Sequence, residues 1–262
     1  MKQAIQQKSN TIQDRNPIQH ETRESVRLNK YISDSGYCSR RQADRYIQQG
    51  LVTIEGQVAE VGQQVLRGQH VTVEGNAIYK DEERVYIALN KPRGITCTTD
   101  LEIEGNIATF MNYPKLIFPI GRLDKDSSGL ILLTNDGDIV NKILRAEYGH
   151  DKEYIVSVNK SIDETFINKM AAGVEIYNQQ THRMQVTNPS VVKQLAPKTF
   201  SIILNQGLNR QIRRMTKALG YKVTTLNRIR IMNIELGDLK SGMWRYLSET
   251  ELKELNRRIQ SR

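Results

Sequence analysis

Residues 121–133 read Gly-Arg-Leu-Asp-Lys-Asp-Ser-Ser-Gly-Leu-Ile-Leu-Leu. A carboxylate, Asp124, stands between two bases, Arg122 and Lys125, in a loop that runs into an apolar strand. Chemistry at a ribosyl C1′ or a pyrimidine C6 needs a nucleophile or an electrostatic stabiliser, and a carboxylate can serve as either. A neighbouring cation keeps such a group ionised by lowering its pKa. Candidates for that cation, Arg210 and Arg213, lie far away in sequence, in Asn209-Arg-Gln-Ile-Arg-Arg-Met215. An acid held in a basic cleft is arranged for chemistry on a nucleic acid. The same local pattern also fits a turn aspartate that bonds its own backbone.

The 209–215 cluster reads as the start of a helix, whose early amides and arginines can hold phosphates. Arg210, Arg213 and Arg214 fall at i, i+3 and i+4, one contiguous face, while Ile212 and Met215 face another side and pack. An exposed basic helix face is the competing reading. Lys152-Glu-Tyr154 opens a strand. An aromatic ring there can stack on an extruded base, although a lone strand tyrosine is more often core. Asn90-Lys-Pro-Arg-Gly94 reads as a turn whose Lys91 and Arg93 contact backbone phosphate. The four histidines have no metal-ligand spacing, and Walker or dinucleotide glycine loops are absent.

Charge supports a polyanionic partner. The chain of 262 residues carries a formal +9, and each phosphate neutralised releases counterions. No Asp or Glu occurs from Ile176 through Ile234, a span holding ten Lys and Arg residues, among them Arg228 and Arg230. Two cysteines, Cys38 and Cys97, stand in unrelated contexts and imply neither a disulfide framework nor a zinc site. No apolar run reaches membrane-span length and no signal-peptide apolar region opens the chain, so the reducing cytoplasm is the expected location.

The elements that must position these residues divide into two units. Residues 1–24 are polar and basic, and are expected to form a disordered tail. Residues 25–76 form a small unit of two helices followed by a short sheet. Val26–Ile32 has helical apolar spacing, Ser39 with Gln42 makes a capping box for a second helix ending at Gly50, and 52–54 and 71–73 alternate as strands. Arg27, Lys30, Arg40, Arg41 and Arg45 give its helices basic outer faces suited to duplex RNA. Residues 77–84 read as a linker. From Val85 to the end, expected strands are 85–89, 129–133, 153–158, 183–187, 199–204 and 223–226. Expected helices are 138–146, 162–172, 209–219 and 249–260, with Ser161/Glu164 and Ser248/Glu251 as capping boxes. Strands and helices do not alternate strictly, so the class is α+β with a mixed or largely antiparallel sheet flanked by helices.

Gly121-Arg-Leu-Asp124…Gly129-Leu130, Lys152-Glu-Tyr154 and Asn209-Arg-Gln-Ile-Arg-Arg214, in that order, resemble the RNA pseudouridine synthases of the RsuA/RluB/RluE/RluF type. Asn90–Gly94 matches a turn of that family, and residues 26–75 resemble an S4 RNA-binding domain. Phe118–Leu130 and Gln206–Met215 are most similar to the RluF branch, which acts on large-subunit ribosomal RNA. Many relatives carry an acid where Gln206 stands and an arginine where Leu208 stands.

The resemblance implies that Asp124 is the catalytic aspartate acting on a flipped-out uridine, that Tyr154 packs on the base, and that Arg213 pairs with Asp124. It implies that Arg122 occupies the vacated position and that Ile212 supports the base. Arg122, Leu123, Lys125, Arg210, Gln211, Ile212 and Arg214 are the implied RNA contacts. The base is detached, rotated and rejoined through C5, an isomerisation that calls for no cofactor or metal. The implied partner is large-subunit ribosomal RNA, with tRNA as an alternative substrate, and a monomer is expected. A different class stays open: an S4-type RNA-binding or ribosome-assembly factor that only grips RNA.

Overall fold

The computed structural model describes residues 3–6, 18, 23–79, 83–144, 150–179 and 181–260. The N-terminal unit begins after a two-residue strand β1 (Ile5–Gln6), with β2 (Ser25–Arg27), α1 (Leu28–Asp34) and α2 (Arg40–Gln48). Five short strands follow: β3 (Val52–Ile54), β4 (Gln57–Val58), β5 (Gln64–Leu66), β6 (Val71–Val73) and β7 (Asn76–Ile78). Ser39 caps α2 by accepting from the Gln42 amide at 3.3 Å, a cap worth about 1 kcal/mol. Leu28, Ile32, Ala43 and Ile47 on the helices meet Val52, Ile54, Val71 and Val73 from alternating strand positions in one small core.

The larger unit contains β8 (Tyr86–Lys91), α3 (Ile107–Met111), β9 (Phe118–Ile120), β10 (Ser128–Thr134), α4 (Gly137–Leu144) and β11 (Lys152–Val158). It continues with α5 (Glu164–Ala172), β12 (Glu175–Asn178), β13 (Arg183–Val186), β14 (Val191–Ala196), β15 (Thr199–Leu204) and α6 (Gln211–Ala218). The last elements are β16 (Val223–Ile231), β17 (Ile234–Glu235), β18 (Met243–Tyr246) and α7 (Glu249–Gln260). The main sheet runs β1-β18-β8-β10-β16-β11-β15-β14, with β9 on β10 and β17 on β16. β1/β18 and β10/β16 are parallel and the other pairs antiparallel, so the sheet is mixed as expected.

Both faces of this sheet are covered, and the strands show it residue by residue. Ile87, Leu89, Ile131 and Leu133 enter one core with Val156, Phe200, Phe166 and Met215. Their neighbours Tyr86, Ala88, Leu130 and Leu132 enter the other with Ile139, Leu252 and Leu255. A period of two therefore feeds two cores from the same strand.

Several expectations need correction. Within the supposed tail, the Ala4 amide donates to Phe110 O at 2.8 Å, and Ile5 and Gln6 register against Met243 and Trp244. Ile18 is buried in the second core. An open sheet edge and an apolar socket satisfy backbone and side chains that composition alone leaves unpaired; residues 1–2, 7–17 and 19–22 lie outside the described residues. The supposed linker starts later than 77, because β7 includes Ala77 and buried Ile78; residues 80–82 are outside the description. α5 is capped by Asp163, which accepts from the Phe166 amide at 2.8 Å, and not by Ser161. The Ser248/Glu251 box is reciprocal, at 3.2 and 2.8 Å. β1, β2, β4, β5, β7, α3, β9, β12, β14, β17 and β18 have no counterpart among the expected elements, and Val26 and Arg27 lie in β2 rather than opening the first helix, which starts at Leu28.

Two edges of the sheet are finished differently. β1 covers β18. β14 is the opposite edge, with Val191 and Leu195 exposed, Lys193 between them, and a register shift between Gln194 and Ala196.

Candidate active site

Asp124 sits in the crossing between β9 and β10. Its loop is closed by main-chain bonds: the Ser127 amide donates to Asp124 O at 3.0 Å, and the Gly94 amide to Lys125 O at 2.7 Å. Leu123 is buried, and its amide and carbonyl both meet the Cys97 thiol, at 3.4 and 3.1 Å. The implied RNA contact at Leu123 is thus an anchor in the core. Gly129 then lets β10 run against β16: its φ is +106°, and a Cβ there would lie 2.3 Å from Arg228 O.

Two cations reach the loop from α6. Arg210, in a left-handed conformation at the helix N-cap, and Arg213, one turn on, approach Asp124 Oδ2 at 3.6 and 3.9 Å. Neither distance is a hydrogen bond. The close contacts go to Asp126 instead: Arg210 grips it bidentately at 3.1 and 3.0 Å, and Arg213 Nη2 lies 3.3 Å from it. Arg213 also donates to Asp126 O and Ser127 Oγ at 3.1 and 3.0 Å, while its buried Nε has no hydrogen-bond partner among the described residues. The hydrogen bond from Arg210 holds the Asp126 carboxyl below the usual range. Asp124, with 30% of its side chain exposed, keeps an open oxygen face beside two guanidinium groups. Arg93, Gly94, Lys125, Asp126 and Arg210 line an open cleft here.

The expected arginine face of α6 splits. The helix begins at Gln211, so Arg210 turns with Arg213 toward the aspartate loop, whereas Arg214 donates to Tyr177 O and Asn209 Oδ1 at 2.8 and 2.7 Å. Gln211 is buried and braces the preceding loop, donating to Gln206 Oε1 and accepting from the Leu208 amide. It offers RNA no surface. Ile212, Tyr154 and Leu123 belong to one core cluster, which brings three widely separated sequence positions together. Arg122 and Lys125 are exposed.

Lys91 does not reach phosphate. It is fully buried and donates to Pro92 O and Ile95 O at 2.8 and 2.9 Å, and burial pushes its ammonium down to about 8. On the N-terminal unit, Arg27, Arg40 and Arg41 are exposed, but Lys30 is half-buried between Asp34 and Asp138, at 2.5 and 3.2 Å. It joins α1 to α4 across the two units, which removes it from the expected RNA face. Residues missed from sequence are Asp126, Ser127 and Arg228. The signal for Arg228 was phase: it shares the inward face of β16 with Leu226, where a solvated arginine does not fit.

A mixed sheet with an acid loop clamped by helix arginines, preceded by a small two-helix unit with exposed arginines, defines a class. The RNA pseudouridylate synthase family model matches residues 85–218 and the S4 domain model matches 26–76, and the chain belongs to that synthase family. It is an isomerase that acts on RNA. The dual-specificity RNA pseudouridine synthase RluF of Escherichia coli (strain K12) is 54% identical over 239 residues, covering 90% of this chain and 80% of the relative. The ribosomal large subunit pseudouridine synthase B of Bacillus subtilis (strain 168) is 35% identical over 87% of this chain and 95% of its own length. A solved structure described as a pseudouridylate synthase is 30% identical, with a TM-score of 0.64, covering 88% of this chain and 99% of that one.

Proposed function

We propose that this protein converts a specific uridine of large-subunit (23S) ribosomal RNA to pseudouridine, with Asp124 as the nucleophile acting on a flipped-out nucleotide. The observation that carries the reading is the division of labour in the loop. Asp126 takes the bidentate arginine, and Asp124 is left near two cations without a hydrogen bond to either. A carboxylate so placed is electrostatically stabilised yet free to attack, and needs no reorganisation to do so.

In this reading the N1–C1′ bond breaks, the base turns, and C5 bonds to C1′ while its proton leaves and N1 regains one. Tyr154 packs on the base, Ile212 supports it from the core, and Arg122 fills the space the base has left. Tyr154 and Ile212, packed against the base, keep it from diffusing away once detached. Exposed Arg27, Arg40 and Arg41 hold RNA phosphates on the S4 unit, and the working unit is a monomer. The name of the Escherichia coli relative, a dual-specificity enzyme, supports a second RNA substrate, of which tRNA is the candidate.

The test is pseudouridine mapping on large-subunit rRNA and on tRNA incubated with wild type or Asp124→Asn. One new pseudouridine made by wild type and lost in the variant, with RNA affinity within about threefold, is the expected outcome. Retained turnover in Asp124→Asn removes the aspartate from the role.

A further inference from the structure

β16 lies between β10 and β11, and Arg228, like its neighbour Asn227, is paired in both ladders. Its Cα is registered against Gly129 on one side and Tyr154 on the other. The second ladder shifts register between Glu153 and Tyr154, which re-aims the tyrosine beside Arg228. Arg228 is 3% exposed. Its Nε donates to Leu130 O at 2.7 Å and its Nη1 to Arg122 O at 3.3 Å. Those carbonyls bracket the loop that carries Asp124. The guanidinium carbon lies 6.0 Å from the centre of the Tyr154 ring.

Stability alone does not favour this arrangement. Nη2 is buried without a hydrogen-bond partner among the described residues, and leaving a buried donor unmet is destabilising. An apolar side chain of similar volume avoids that penalty. What an apolar side chain lacks is a rigid fork that holds two carbonyls at a fixed separation. Lysine lacks it too, since its ammonium is a point charge on a flexible stem.

We propose that Arg228 is a positioning residue for the isomerisation, clamping both ends of the Asp124 loop while its plane sets the Tyr154 ring. It touches no substrate. The inference rests on the reading of Asp124 as nucleophile and Tyr154 as the base-packing ring. Its effect is on geometry at the reacting centre, where a displacement of about 1 Å costs roughly 100-fold in rate.

The experiment uses the full chain as wild type, Arg228→Lys, Arg228→Gln and Asp124→Asn, on the RNA in which wild type forms pseudouridine. Enzyme in saturating excess gives a single-turnover rate constant and an amplitude; filter binding gives the RNA affinity. The expected result for Arg228→Lys is full amplitude, affinity within about threefold, and a rate constant lower by about 30- to 100-fold. A merely structural residue lowers amplitude and affinity and leaves the rate constant of the folded fraction alone, which overturns the proposal. A rate constant within about threefold of wild type in Arg228→Lys also overturns it, because charge without the fork then suffices. So does failure of both Arg228 variants to fold, which makes the guanidinium a stability element. Turnover by Asp124→Asn sinks the nucleophile assignment instead, and the two failures are read from different proteins.

Discussion

Replacing Gly129 with alanine tests how the loop is held. The residue has φ of +106°, and a built Cβ lies 2.3 Å from Arg228 O and 2.6 Å from Arg228 N. A third neighbour, Asn227 Oδ1 at 2.5 Å, belongs to a side chain that can swing; the other two are backbone and cannot. The closest of these contacts is roughly 0.7 Å short of the 3.0 Å that real Cβ atoms respect. The parallel pair β10/β16 must part by about that distance. The backbone conformation costs about 1–3 kcal/mol for a residue with a side chain, and overpacking adds about 1–3 kcal/mol. A loss of about 2–6 kcal/mol is expected from a total stability typically near 5–15 kcal/mol. In urea that moves the midpoint down by about 1 M or more. Because the displacement falls between Arg228 and the Asp124 loop, the single-turnover rate should drop by about 10- to 100-fold in whatever fraction folds. A variant with an unchanged midpoint and rate would show that the ladder yields there freely, and would refute the argument.

Asp126→Asn releases Arg210 from its bidentate partner. RNA affinity should then rise and the slope of log affinity against log salt steepen by about 0.7–0.9, one phosphate contact, measured by binding titrations at several salt concentrations; an unchanged slope argues against it. Burial pushes Lys91 down to about 8, against about 10.4 when unfolded. Between those values the unfolded chain holds a proton that the folded chain has released, so stability from this group rises with pH there. Urea midpoints of wild type should therefore gain on Lys91→Met between about pH 8 and 10, and a pH-independent difference between them contradicts the burial argument. Lys30→Ala removes the pair to Asp138 that joins the two units, together with the intrahelical pair to Asp34. X-ray scattering should show a larger radius of gyration, and an identical profile would mean that other contacts hold the S4 unit in place.

The helices were legible where a face and a cap agreed. α2 and α7 announce themselves through Ser39 and Ser248 with apolar residues at helical spacing, and both caps are made. Strands were harder because the central ones are buried on both faces. β10 reads as an unbroken apolar run, which fixes its existence but not its neighbours. β18, with Trp244 and Tyr246 separated by Arg245, was hidden because that arginine is held by Glu251. At the site, residue types in order identified Asp124, Tyr154 and Arg213 as candidates. The division of Arg210 toward Asp126 was not legible, since two carboxylates two residues apart look alike until the loop is folded. Charge reads from sequence as exposure, and that rule failed where side chains are bonded internally: Lys91, Arg228 and Lys30 are each held by carbonyls or carboxylates.

The unequal edges of the main sheet have a consequence for how the chain behaves among its own copies at high concentration. An uncovered strand presents unpaired amides and carbonyls that another chain can zip onto. At β18 that template is already occupied from within by Ile5 and Gln6. At β14 the deterrent is chemical: Lys193 sits between two exposed apolar residues, and the shift near Ala196 spoils the straight register that an incoming strand requires. Neutralising Lys193 would leave Val191 and Leu195 as one apolar flank, turning this edge from a guarded margin into a nucleus for precipitation.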